Sequence, residues 1–137
     1  MFDVETEWLL GRLGLAFPET FGNRRVRTAI RRLERTTAAY PRMLAAQLRG
    51  GLACTSGDTT AAAAQLRVAA GLGRGLDQRV QPAIANLIVA TLDTRSDAVA
   101  AAEKARETLA AEGIRDPQRF AALMMPGFSR AQRVLTT

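Results

Sequence analysis

Cys54 is the one cysteine of a 137-residue chain that contains no histidine. A thiol attacks as its thiolate, and at neutral pH it ordinarily needs a neighbouring base to form one. With imidazole missing, Cys54 reads as a small buried residue. The same absence removes Ser-His-Asp triads, His-based zinc sites and histidine proton shuttles. A lone cysteine also forms no internal disulfide and supplies no thiolate cluster. Asp93 and Asp97 are close enough in sequence to share a cation, but two exposed carboxylates without a third ligand more often cap helices. Gly71-Leu72-Gly73-Arg74-Gly75 resembles a phosphate-cradling loop only in its glycine content. The glycine spacing fails for a dinucleotide fingerprint, no strand precedes it, and a P-loop would need Gly-Lys-Ser/Thr where position 76 is Leu. It reads as a helix stop and connector. No catalytic residue, metal ligand or cofactor-binding residue is assigned, and no cofactor is expected.

The chemistry that remains is charge. The chain has 19 basic residues against 13 acidic ones, a net charge of +6, and every basic residue except Lys104 is arginine. Arginine pairs with carboxylate or phosphate through two parallel hydrogen bonds, which suits an interaction surface. Arg-plus-Ala richness is also what GC-rich coding yields without selection for binding. The densest run is Arg24, Arg25, Arg27, Arg31, Arg32 and Arg35, with Glu34 the lone acid among them. At 100° per residue, Arg24, Arg27, Arg31 and Arg35 form one stripe, while Arg25 and Arg32 form a second edge. Three readings compete: a solvated face neutralised by neighbouring helices, a contact for an acidic protein surface, or a phosphate-binding face. Nucleic-acid surfaces usually interleave aromatics or amides with their cations, and this stretch has neither beside the stripe, so nucleic acid ranks second as a partner.

The elements that must carry these residues are helices. Apolar residues make up 47% of the chain but aromatics only 5%, so the core must come from Leu, Ile, Val, Met and Ala, as in close-packed helices. A length of 137 residues fits one domain. No run of about eighteen apolar residues occurs, and the start lacks the basic-then-apolar signal pattern, so a cytoplasmic protein without membrane contact is expected.

Periodicity predicts six to seven helices. The first, over about 3–17, buries Val4, Trp8, Gly11 and Leu15, with Gly11 and Gly14 admitting a close neighbour. After a loop through Pro18, Gly22 and Asn23, the second spans about 24–40 and buries Val26, Ile30, Leu33 and Thr37. Pro41 opens a third with Leu44, Leu48 and Leu52 inward, ending at Thr55-Ser56-Gly57-Asp58. A fourth, over about 59–72, buries Ala62, Leu66, Ala69 and Ala70. The fifth, over about 78–92, tolerates Pro82 in its first turn and buries Val80, Ile84, Leu87 and Ile88. The turn 93–97 caps a sixth that runs to about 112, with Ala98, Ala102, Ala105 and Leu109 inward. Asp116-Pro117 starts a short closing helix carrying Phe120, Leu123 and Met124 before Pro126-Gly127. The expected organisation is one all-α domain: a helix pair over 1–40, hairpins over 41–75 and 76–112, a closing helix within 113–128 and an unpacked tail over 129–137. A hairpin cannot bury its apolar face alone, so the pairs should stack as a short solenoid.

Gly50, Gly57, Asp58, Ala62, Leu66 and Ala69 resemble the small and apolar packing positions of a tetratricopeptide repeat (TPR) around its inter-helix turn. Ala46 and Ala53 stand where such repeats carry large aromatics, and Arg74 stands where a proline would follow. A wider resemblance rests on Trp8-Leu9-Leu10-Gly11-Arg12, Arg32-Leu33-Glu34-Arg35, Gly57-Asp58, the run Gly113-Ile114-Arg115-Asp116-Pro117-Gln118-Arg119-Phe120, and Met125-Pro126-Gly127-Phe128. Together these resemble the TPR-like C-terminal helical region of large bacterial signalling proteins that join a Ser/Thr kinase domain to a predicted ATPase. The resemblance implies that kinase and ATPase chemistry belong to other domains, and that this region senses a partner, restrains the ATPase or assists assembly. The expected function is therefore a non-catalytic protein–protein interaction module. Its partner would be an acidic protein surface or another domain of such a signalling protein, with self-association an open alternative.

Overall fold

The computed structural model describes residues 3–128, so the expected tail over 129–137 lies outside the described residues. Across the described residues seven helices follow in order: α1 (Val4–Ala16), α2 (Pro18–Glu34), α3 (Ala39–Thr55), α4 (Thr59–Gly75), α5 (Val80–Leu92), α6 (Ser96–Ala111) and α7 (Pro117–Met124). The architecture is all-α. Consecutive helices pack as pairs, α1 with α2, α3 with α4 and α5 with α6, and each pair stacks on the next through α2–α3 and α4–α5. Among the described residues no helix is long and apolar enough to cross a membrane.

Two apolar clusters follow the pairing. One joins Trp8 and Leu15 of α1 to Val26, Ile30 and Leu33 of α2 and Met43, Leu44 and Leu48 of α3. The other joins Leu66, Ile84, Ile88, Ala98, Ala102, Ala105 and Leu109 to Ala121, Met125 and Phe128. The abundance of alanine lets helix axes approach closely, and glycine extends this: a Cβ at Gly14 would lie 2.7 Å from Val26 Cγ2, and one at Gly11 would meet Leu48 and Ala29.

The second helix departs from the sequence reading at both ends. Pro18–Phe21 form a first helical turn rather than a loop, and the break falls at Gly22, whose φ of 70° and ψ of 168° leave the helical region. The helix ends at Glu34, not near 40; Thr36-Thr37-Ala38 form the link, and Ala39 and Tyr40 already belong to α3. Two adjacent threonines are poor helix formers, and Thr36 Oγ1 accepts a hydrogen bond from Ala38 N, offering the backbone a turn instead. Thr37 is therefore exposed rather than buried. Gly71 and Gly73 do not stop the helix but lie inside α4, which ends at Gly75. A Cβ at Gly73 would sit 2.8 Å from Pro82 Cγ, so this glycine is a packing position between α4 and α5. The cap of α6 is Arg95, without a side-chain hydrogen bond, while Asp93 accepts from the Arg95 backbone N–H and from the Arg95 and Arg67 side chains.

The closing segment shuts one side of the stack. Asp116 accepts from Arg119 N and caps α7, as Asp-Pro predicts. Its anchors, however, are Ala121, Met125 and Phe128, each at most 3% exposed, whereas Leu123 is 67% exposed and Phe120 and Met124 are half-buried. The segment reaches beyond its neighbours α5 and α6. Arg12 donates to the Leu123 carbonyl, a free end of α7, while stacking 4.7 Å from the centre of the Trp8 ring. Phe128 packs over Gly50, and Pro126 and Gly127 lie against Gly51.

Candidate interaction surface

With one side of the stack closed by the chain itself, the open recess lies where α2 and α4 both pack on α3 without packing appreciably on each other. From Pro41 to Gly51 the only exposed residues of α3 are Arg42 and Arg49, seven apart and so on one face. That face continues through Ala46 and Ala53 to Ser56 and forms the floor. A recess of about 360 Å³ is lined by Glu34, Arg42, Ala46, Arg49, Gln65, Val68 and Leu72. A second, of about 340 Å³, adds Arg27, Leu52, Ala53, Ser56, Asp58 and Ala61 and shares Arg49 and Gln65 with the first. Together they make one cleft running along α3 from Arg42 to Ser56. Fourteen steps from residue 42 to residue 56, at about 1.5 Å each, give it a length of about 21 Å.

The buried residues of α2 (Val26, Ala29, Ile30 and Leu33) fix how its arginines are distributed. On the helical wheel, Arg27 and Glu34 flank that buried face on the cleft side and line the recess. Arg31, Arg24 and Arg35 follow in turn toward solvent, and all three are exposed. Arg32 and Arg25 lie on the opposite flank, facing α1. There Arg32 Nη1 donates to Glu7 Oε1 at 2.8 Å. Glu7 is only 7% exposed, so Arg32 is committed to neutralising a carboxylate inside the fold. The six predicted contact residues therefore fall into two sets: Arg32 is paired with Glu7, whereas Arg24, Arg25, Arg27, Arg31 and Arg35 have no carboxylate within ion-pair distance among the described residues.

Arg42 and Arg49 are site residues that the sequence reading does not assign. Their signal is present in the sequence, because charged residues seven apart in an otherwise buried helix must share one open face. Arg49 grips Glu34 through Nε to Oε1 and through Nη2 to Oε2 at 2.9 Å. This fork holds the Glu34 carboxyl below its usual range, with Arg42 adding a smaller Coulombic push, and raises Arg49 in return. Asp58, the other carboxylate of the cleft, accepts from Ala61 N as the cap of α4. Both acids of the lining thus already hold hydrogen bonds, while Arg27 and Arg42 remain open. Apolar surface lies beside them: Val68, 51% exposed, and Leu72 form the α4 wall.

The residues singled out for catalysis or ligation behave otherwise. Cys54 is half-buried against the second cluster, and desolvation pushes its thiol up, away from the thiolate. Among the described residues no three of His, Cys, Asp and Glu gather into a metal-sized group. Asp97 accepts from Ala98 N, at the start of α6. Comparison of the chain with protein-family models, with curated proteins and with solved structures gives no match.

Proposed function

We propose that the chain is a non-catalytic helical-repeat module that binds an acidic protein surface through the arginine face of α2. The observation that carries this reading is that Arg24, Arg27, Arg31 and Arg35 on one side of α2, like Arg25 on the other flank, have no carboxylate within ion-pair distance among the described residues, whereas Arg32 is paired with Glu7. Like charges held on three turns of one helix repel one another, and an anionic partner relieves that repulsion. The raised thiol of Cys54 and the capping roles of Asp58 and Asp116 support a role without chemistry of its own. The resemblance to the TPR-like C-terminal region of bacterial kinase–ATPase signalling proteins puts the acidic partner among the other domains of such an assembly.

The test replaces Arg24, Arg27, Arg31 and Arg35 together by Gln. Four exposed pairs at about 0.5 kcal/mol each contribute about 2 kcal/mol, or roughly thirtyfold in affinity. Affinity capture from the native lysate, run with nuclease, should retain a protein on the wild-type chain and lose it on the variant, with circular dichroism showing unchanged helicity. Equal retention by both chains overturns the reading. Retention that disappears with nuclease assigns the arginines to nucleic acid instead.

A further inference from the structure

The cleft has an apolar wall, a floor of small side chains and a cationic rim, and that combination fits a narrower class of partner than an acidic surface in general. We infer that the α2–α3–α4 cleft is a docking site for an acidic amphipathic helix of about fourteen residues; this rests on the proposed function and deepens it.

Three observations carry the inference. First, the floor is Ala46 and Ala53, flanked by α2 and α4, so the small side chains let an incoming helix approach α3 closely. The cleft offers an extended peptide no sheet edge to take up its backbone N–H and C=O groups, whereas a helix satisfies its own. Second, Val68 and Leu72 are one turn apart on the α4 wall and receive an apolar stripe repeating at i and i+4. Val68 is half exposed in the free chain. Third, the rim is cationic where it is free: Arg27 at one end and Arg42 at the other have no internal partner among the described residues, with Arg31 next round on α2. Between them Glu34 sits in the fork of Arg49. Carboxylates flanking the partner's apolar stripe would meet Arg27 and Arg42, and one near the middle would share or replace Glu34 at Arg49.

The experiment selects a display library of fourteen-residue helical peptides against the full chain and measures the enriched peptides by fluorescence anisotropy. The expected result is enrichment of net-negative sequences with Leu, Met or Phe at i and i+4. Their affinity should fall at least tenfold on Val68→Glu and on Arg49→Gln. Both sites are at the surface, so helicity and Tm should stay near wild type. The paired variant Arg24→Gln/Arg35→Gln, on the outward part of α2, should cost about fivefold, as two of the four exposed arginines, and less than either cleft change. Acidic peptides that lose affinity on Arg24→Gln/Arg35→Gln but ignore Val68→Glu overturn the cleft and leave the acidic-surface reading standing. A selection with no acidic enrichment overturns both. Displacement of the peptides by a single-stranded oligonucleotide of equal charge, with oligonucleotide binding indifferent to Val68→Glu, gives the cations to nucleic acid and overturns it as well.

Discussion

Replacing Arg32 by Met separates the structural arginine of α2 from the others. Methionine keeps much of the aliphatic stem and removes the donors and the charge, so Glu7, 7% exposed, is left without its cation. Its second oxygen, Oε2, already has no hydrogen-bond partner among the described residues. Breaking a fully buried pair costs about 3–5 kcal/mol, and an exposed pair about 0–1. Here the Glu7 side chain is 10% exposed and that of Arg32 46%, which places the cost between the two, at about 2 kcal/mol. For a chain of 137 residues, an unfolding entropy of about 2.1 cal/mol/K per residue makes this a fall in Tm of about 7 °C. Thermal melts by circular dichroism measure it. The double variant Glu7→Gln/Arg32→Met should recover at least about 1 kcal/mol relative to the sum of the single changes. Partner affinity should stay within twofold of wild type, because Arg32 faces α1 and not the cleft. A Tm change under about 2 °C, or a loss of affinity matching that of Arg27→Gln, would refute the division of the arginines into two flanks.

Gly73→Ala should destabilise the chain by about 1–2 kcal/mol in urea unfolding despite alanine's better helix propensity, because the Pro82 ring 2.8 Å from the new Cβ cannot rotate away; Gly71→Ala, whose Cβ would meet only the tip of Arg74, should be neutral or stabilising. Phe128→Ala should cost about 3–5 kcal/mol, since the ring is fully buried, and Leu123→Ala within about 0.5 kcal/mol, since that side chain is 67% exposed. Equal effects at the two positions would contradict the seating of the closing segment. Tyr40, the only tyrosine, is pushed up to about 12 by desolvation first and then by its hydrogen bond and charge interaction with Glu5. A raised acid pKa in the folded state means that the stability it contributes is complete below about pH 10 and is lost as pH rises toward 12. Near-ultraviolet titration of tyrosinate should give a midpoint near 12, and Glu5→Gln should lower it without bringing it to 10, because the larger cause remains.

Most of the architecture was legible because helical periodicity survives a core of small residues. Ala98, Ala102, Ala105 and Leu109 are all buried, as are Ala62, Leu66, Ala69 and Ala70. The departures share a cause: a local signal is incomplete without the neighbour that decides it. Gly71, Gly73 and Gly75 look like a helix end until Pro82 is placed against Gly73. Periodicity phases the closing helix on its largest side chains, Phe120 and Leu123, whereas Ala121 is the residue that fits against α5 and α6, with Met125 and Phe128 beyond the helix as the bulky anchors. In the site, the run of arginines in α2 was legible but its division was not, because Glu7 is 25 residues from Arg32 and nothing local pairs them. Arg42 and Arg49 escape a search for charge clusters because neither stands in one; they meet Glu34 only once α2 and α3 lie side by side.

The placement of α3 explains why the cleft is a better candidate for specific recognition than the outward arginines alone. Exposed arginines are long and mobile, and each loses side-chain entropy on pairing, so a stripe of them gives salt-sensitive affinity with little selectivity. The α3 floor differs. The rest of α3 is packed by α1, α2 and α4, and Gly50 and Gly51 admit Phe128 and the Pro126-Gly127 backbone from the closing segment. A helix so enclosed cannot shift without disturbing both apolar clusters, and so Ala46, Arg49 and Ala53 are held at fixed spacing before any partner arrives. Arg49 is further restrained by its two hydrogen bonds to Glu34. A partner helix that matches this spacing has little ordering left to impose on the cleft, and preorganisation of that kind raises affinity more than added contact area does. The α2 arginines beyond the rim then act mainly on the rate of encounter and on its salt dependence, while the cleft decides which acidic helix stays.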